Sequence, residues 1–123
     1  MANNPVNWFE IYVQNMERAK GFYESVFNKK LTKIDTSGIE MWGFPANLES
    51  FGSSGSLVKM DGFPSGGNST IVYFSTKDCL TELERVTKNG GRIQKEKMSI
   101  GEYGYIALAY DTEGNMFGLH SMA

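Results

Sequence analysis

The feature that most constrains this chain is an order of elements that occurs twice. "VNWFEIYV" (6–13) is dense in β-branched and aromatic residues and predicts a strand. Asn15 then caps a helix, "MERAKGFYESVF", in which Ala19, Phe22, Tyr23, Val26 and Phe27 recur at helical spacing. Three short strands are expected next: "LTKIDT" (31–36), "IEMWGF" (39–44) and "SLVKM" (56–60). Ser37-Gly38 supplies a tight turn between the first two, and "PANLESFGSSG" a looser one after the second. "DGFPSGGNS" (61–69) breaks all periodicity and reads as a linker. The order then returns. "TIVYFST" (70–76) predicts a strand, and Asp78 caps "CLTELERVTKNGG", whose stripe is Cys79, Leu83 and Val86 and whose stop is Gly90-Gly91. "RIQKEKM" (92–98), "YGYIALAY" (103–110) and "MFGLHS" (116–121) are the closing strands.

The expected fold is therefore α+β, a single domain over 1–123 made of two tandem βαβββ modules, about 6–60 and about 70–121. Each helix covers one face of its strands, and the other face curls into a cup. Two cups side by side make a partly closed barrel with a concave, partly apolar interior, a natural small-molecule site. At 123 residues the chain buries roughly two-thirds of its unfolded surface, enough for a core without staples.

Composition removes several classes of function. Twelve basic residues stand against 14 acidic ones, for a net charge of −2, and no basic run occurs, so no nucleic-acid surface is expected. The lone Cys79 cannot form an internal disulfide, which fits a reducing compartment. "MANNPVNWFE" lacks a basic segment followed by an apolar core, and no apolar run approaches the ~18 residues that span a bilayer. The expectation is a cytoplasmic protein with no membrane partner. No serine elbow, P-loop, dinucleotide fingerprint or zinc spacing is present, and "GSSG" (52–55) is a lone loop with no following helix.

Three segments carry a resemblance: "VQNMERAKGFYESVF" (13–27), "NGG" (89–91), and "DTEGNMFGL" (111–119) as a variant of a D-P-x-G-N hairpin. With them the chain resembles the vicinal oxygen chelate superfamily, which includes glyoxalase I, bleomycin-resistance proteins and extradiol dioxygenases. "NWFEIYV", "STIVYFST" and "YGYIALAYDTEGNMFGLH" are similar, more narrowly, to a branch described as glyoxalase-related. The resemblance implies a homodimer, with the cup completed within one chain or by exchange of modules between two. It also places the family's four metal-ligand positions at Trp8, around Gly55 to Leu57, at Ile71 and at Gly118. None of these side chains binds a divalent cation as His, Gln or Glu does there. Their neighbours Phe9, Val72, Phe117 and Leu119 do not rescue the set, and Asn7 and Thr70 offer only weak neutral oxygens. No cofactor is expected, and a divalent metal is disfavoured.

The segment "DTEGNMFGLH" (111–120) holds the chain's only histidine. Turn chemistry accounts for Asp111, Glu113 and Gly114, which close a hairpin. By alternation Met116, Gly118 and His120 share one strand face, and the resemblance turns that face into the cup. His120 is then a proton donor or hydrogen-bond partner for a ligand, or else a frayed residue near the chain end. Trp8, Glu10 and Tyr12 share a face of the first strand. Glu10, flanked by aromatics, is an acid or base, or a tie along the barrel seam. Tyr73 is expected to line the cup, and Tyr105 beside Ala107 and Ala109 to form its floor. The face of Trp42 is left open. Phe22, Tyr23 and Phe27 are expected to pack helix on sheet, and Cys79 to be a packed thiol.

Three readings of function follow. The first is a metal-independent binding protein that holds an apolar or aromatic small molecule on Trp8, Tyr12, Tyr73 and Tyr105. The second is a lyase or isomerase related to lactoylglutathione lyase, with Glu10 and His120 moving protons. A purely structural domain is least favoured, because the fold encloses a cleft.

Overall fold

A computed structural model describes residues 4–36, 38–47 and 49–123. The expected turn residue Ser37, and Leu48 of the following loop, lie outside the described residues.

Module one runs β1 (Trp8–Tyr12), α1 (Met16–Phe27), β2 (Thr32–Lys33), β3 (Glu40–Gly43) and β4 (Ser54–Lys59). Module two runs β5 (Tyr73–Ser75), α2 (Cys79–Lys88), β6 (Arg92–Ser99), a 3₁₀ turn (Gly101–Tyr103), β7 (Tyr105–Tyr110) and β8 (Met116–Ser121). Among the described residues each module forms one four-stranded sheet, ordered β1-β4-β3-β2 and β5-β8-β7-β6. In each, the first strand pairs in parallel with the last and the other pairs are antiparallel. The two sheets do not close into a barrel.

Both helices start where their caps dictate. The Asn15 side chain accepts from the Arg18 amide at 3.0 Å, and the Asp78 side chain from the Leu80 amide at 3.0 Å. Helix α1 ends at Asn28, which is left-handed with φ 53°, and Gly91 N–H closes α2 onto Val86 O at 2.9 Å. The first strand of module two is shorter than the alternation predicts. Asn68 draws its amide onto Thr70 O and Met116 O, so the chain joins the sheet only at Tyr73. Strand β4 begins earlier than expected, at Ser54, and absorbs the end of the Gly/Ser loop. No helix among the described residues is long and apolar enough to cross a membrane.

One core spans both modules. Phe22 and Tyr23 of α1 lie 5.9 and 5.8 Å, centroid to centroid, from Phe117 of β8, and Phe27 lies 4.5 Å from Phe74 of β5. Helix α1 therefore packs on the other module's sheet as well as its own. Each sheet keeps one covered and one open face. Phe9, Ile11 and Leu57 belong to the covered face of sheet one, and Phe74, Ala107, Phe117 and Leu119 to that of sheet two. The open faces carry Trp8 and Glu10 on one sheet, and Tyr73 and His120 on the other. Cys79 is buried as expected, with Sγ 3.2 Å from Ser121 Oγ.

Candidate functional site

An open groove of about 1360 Å³ runs along the free edge of β5, between module one's β3–β4 loop and the start of α2. Its aromatic wall is Phe9, Phe44 and Phe74, whose rings sit 5.5 to 6.0 Å apart, centroid to centroid. Such spacing is the tilted and edge-to-face packing that aromatic groups favour, and it leaves ring surface toward the opening. Tyr73, Ile106 and His120 line the side that belongs to the open face of sheet two. Gly118 makes room there: a Cβ on it would collide with the Tyr73 ring lying across it.

The far end of the groove is polar. Glu82 and Arg85 of α2 line it, with Oε2 and Nη1 3.9 Å apart, and Arg85 Nη1 donates to Val26 O at 3.1 Å. The other carboxylate oxygen of Glu82 is buried without a partner. Burial pushes the Glu82 carboxyl above its usual range, against the pull of its own backbone N–H and of Arg85.

His120 is not frayed. It sits in β8, between β5 and β7, and its ring Nε2 lies 2.7 Å from the Tyr103 carbonyl oxygen. Tyr73 and His120 are thus brought into one groove. Glu10 is not brought to them. It lies exposed on the open face of the other sheet, where Tyr12 Oη donates to its Oε1 at 2.8 Å. That bond to Glu10, with burial and the Glu10 charge, raises the Tyr12 hydroxyl's pKa above its ordinary value. Tyr12 stacks on Phe63 at 5.1 Å, and Trp8 stands 41% exposed on the same face. No hydrogen bond or ion pair joins Glu10 to His120.

Tyr105 is placed differently from its expectation. It pairs with Ser121 and shares the helix-covered face with Ala107 and Ala109, so it packs against the core, with Lys97 Nζ 4.6 Å from its ring centroid. Alternation along β7 groups these three correctly but does not say which sheet face they take. Trp42 also lies on a covered face, packed against the core under Lys20 Nζ at 3.4 Å.

The 111–115 hairpin closes as turn chemistry requires: Asp111 Oδ1 accepts from the Glu113 and Asn115 amides at 2.8 and 2.9 Å. It also does something the sequence did not disclose. Glu113 Oε1 accepts from the amides of Gln14 and Asn15, both at 2.9 Å, and Oε2 from Arg18 Nε at 2.6 Å. A buried carboxylate of module two thus caps the helix of module one. Burial alone would raise the Glu113 carboxyl, but the Arg18 bond, the two amides and the Thr112 hydroxyl outweigh it and hold it at about 2. The hairpin letters announce a turn; only the fold reveals which helix it meets.

The family's metal positions find no ligand set here. Gly118 has no side chain, Trp8 offers an indole, and Ile71 precedes β5. Among the described residues no three His, Cys, Asp or Glu side chains gather closely enough to hold a metal ion. The donor chemistry of these positions does not fit a divalent metal.

The fold and the match over residues 6–119 place this chain in the Glyoxalase/Bleomycin resistance protein/Dioxygenase superfamily, to which it belongs. A glyoxylase-like domain-containing protein of Didymella fabae is 30% identical over 119 residues, covering 94% of this chain and 91% of that protein. Among solved structures, TnmS3, an antibiotic binding protein from Streptomyces sp. CB03234, aligns with TM-score 0.68 and 24% identity over 100% of this chain and 99% of that one. Glyoxalase I from Zea mays aligns with TM-score 0.71 and 20% identity over 96% of this chain, which spans only 46% of the maize protein.

Proposed function

We propose that this protein is a metal-independent binder that holds an apolar or aromatic small molecule and leaves it chemically unchanged. The observation that carries this reading is the groove along β5, with its wall of Phe9, Phe44 and Phe74 and with Tyr73 beside it. Concave, mostly apolar surfaces with few polar groups are where small ligands gain most from leaving water. The similarity to an antibiotic binding protein over the whole chain supports the same reading. A second copy of the chain completes the site in this proposal, because the open faces bearing Trp8 and Tyr73, 41% and 47% exposed, are left uncovered among the described residues.

The test is a titration of the purified protein with 2-naphthol, followed by recovery of the probe and by sedimentation. Saturable binding lost in Phe74→Ala, intact probe and a dimer are expected, with no dependence on added Zn²⁺, Ni²⁺, Mn²⁺ or Fe²⁺. Conversion of a substrate that stops in Glu10→Gln would instead establish the lyase or isomerase reading.

A further inference from the structure

We infer that the groove selects an aromatic ligand that donates a hydrogen bond, such as a phenol or aromatic N–H, and that His120 Nδ1 is the acceptor. This rests on the binding reading above and narrows it to a ligand class. His120 Nε2 lies 2.7 Å from the Tyr103 carbonyl oxygen, and a carbonyl can only accept. Nε2 therefore carries the proton, and in the neutral ring Nδ1 holds the free lone pair.

The partner carbonyl is fixed by the chain itself. Ile100 N–H donates to Gly104 O at 2.8 Å, and Gly104 N–H to Gly101 O at 3.2 Å, so the β6–β7 loop is a tight unit. Gly104 has φ 102°, and a Cβ there would collide with the Ser121 carbonyl, so the loop presses directly on β8. The His120 backbone is equally fixed, since its carbonyl takes the Thr76 amide at 2.8 Å and the Thr76 hydroxyl at 3.3 Å. With the ring's donor already engaged, what the imidazole offers is an acceptor. Nδ1 has no partner among the described residues, yet it is not among the buried atoms left unpaired, so it is open to solvent or ligand. His120 lines the groove on the sheet face it shares with Tyr73, which puts that acceptor on the same side as an exposed aromatic ring. A ring stacked there and bearing a donor satisfies both groups; a ring without one strips water from Nδ1 and returns nothing.

Two probes test this, one carrying a hydroxyl and the other its methyl ether. 2-Naphthol donates; 2-methoxynaphthalene has the same rings and only accepts. Both are titrated into the wild-type chain and into His120→Gln in the same buffer. Glutamine keeps an N–H toward the Tyr103 carbonyl but offers no acceptor where Nδ1 stood. Wild type should prefer 2-naphthol about ten-fold, the usual worth of one hydrogen bond, and His120→Gln should bind both probes alike at an unchanged Tm. Because His120 is the only histidine, its ring ¹⁵N signals in the wild-type protein are unambiguous. The Nδ1 signal should move with 2-naphthol and not with 2-methoxynaphthalene, a readout that survives if the variant fails to fold. Equal binding of both probes to wild type, or a preference that persists in a folded His120→Gln, overturns the inference and leaves the binding reading standing. If neither probe binds, the groove reading falls and the inference with it.

Discussion

At one junction of the two modules the N-terminus of α1 meets the 111–115 hairpin. At the other, the N-terminus of α2 faces Pro45 and Phe51–Ser54 across the groove. The two junctions are built from equivalent parts, yet the first is locked and the second open. Counting from each capping residue shows why. Four and seven residues beyond Asn15 stand Ala19 and Phe22; four and seven beyond Asp78 stand Glu82 and Arg85. Ala19 and Phe22 are buried, and Phe22 reaches Phe117 of the other module. Glu82 and Arg85 turn the matching face of α2 polar, and it meets module one through Arg85 Nη1 donating to Val26 O rather than by apolar closure. The hairpin of module two also sends Glu113 into α1, whereas no hydrogen bond among the described residues ties Pro45 or Phe51–Ser54 to α2. A repeated unit has one copy used to hold the modules together and the other to leave room.

The sharpest way to break this comparison is to unlock the first junction. Glu113→Ala leaves the Gln14 and Asn15 amides without their acceptor, which should cost about 2–4 kcal/mol and lower Tm by roughly 10 °C. Arg18 is half exposed and adds little of its own. A loss under about 0.5 kcal/mol in urea melts would mean that the lock is decorative.

Acid should open the same junction. The Glu113 carboxyl is held at about 2, below its ordinary 4.5, so the unfolded chain takes up this proton first. Its contribution is full above 4.5 and is lost as the pH falls toward about 2. Asp111 works the other way, since burial raises its carboxyl and acid relieves that penalty. Glu113→Gln keeps Asp111 and removes only the Glu113 step, so its stability should fall less over that range than the wild type's. Parallel pH–stability curves for the two proteins would refute the assignment.

How much of this was legible in the sequence follows from the range of each signal. Helix α1 was readable over Met16–Phe27, because the Asn15 cap and the apolar stripe both act within a turn or two. The doubled βαβββ order was readable for the same reason, element by element. The aromatic wall was not, because Phe9 and Phe74 lie on strands of different modules and Phe44 just past the end of β3, and the three meet only after folding. Period-2 alternation put Tyr105 with Ala107 and Ala109 but could not choose their face, and the face decides between core and site. The cap from Glu113 onto α1 was invisible for a similar reason: its partners lie 95 to 99 residues away. Glu82 and Arg85, by contrast, did leave a local trace, as charges on the side of α2 where a matched repeat carries Ala and Phe.

That trace can be reversed. Arg85→Phe gives α2 the residue that closes the first junction, and should fill the polar end of the groove. The dissociation constant for 2-naphthol should rise about ten-fold as ring contact is displaced, with the fold intact by circular dichroism. Unchanged affinity would mean that the groove's openness does not depend on α2.

The smallest effect expected is at Glu82, and its sign carries the information. One of its carboxylate oxygens is buried without a partner, and burial raises its carboxyl, so at neutral pH the charge is held there at a cost. A lock would lose stability when its charge is removed, as Glu113 should. A residue that merely keeps a groove polar should gain from losing it. Glu82→Gln should therefore raise stability by up to about 1 kcal/mol, read as a higher urea midpoint at unchanged slope. If it lowers stability instead, Glu82 is holding Arg85 and module one in place, and the second junction is a looser lock than its geometry suggests.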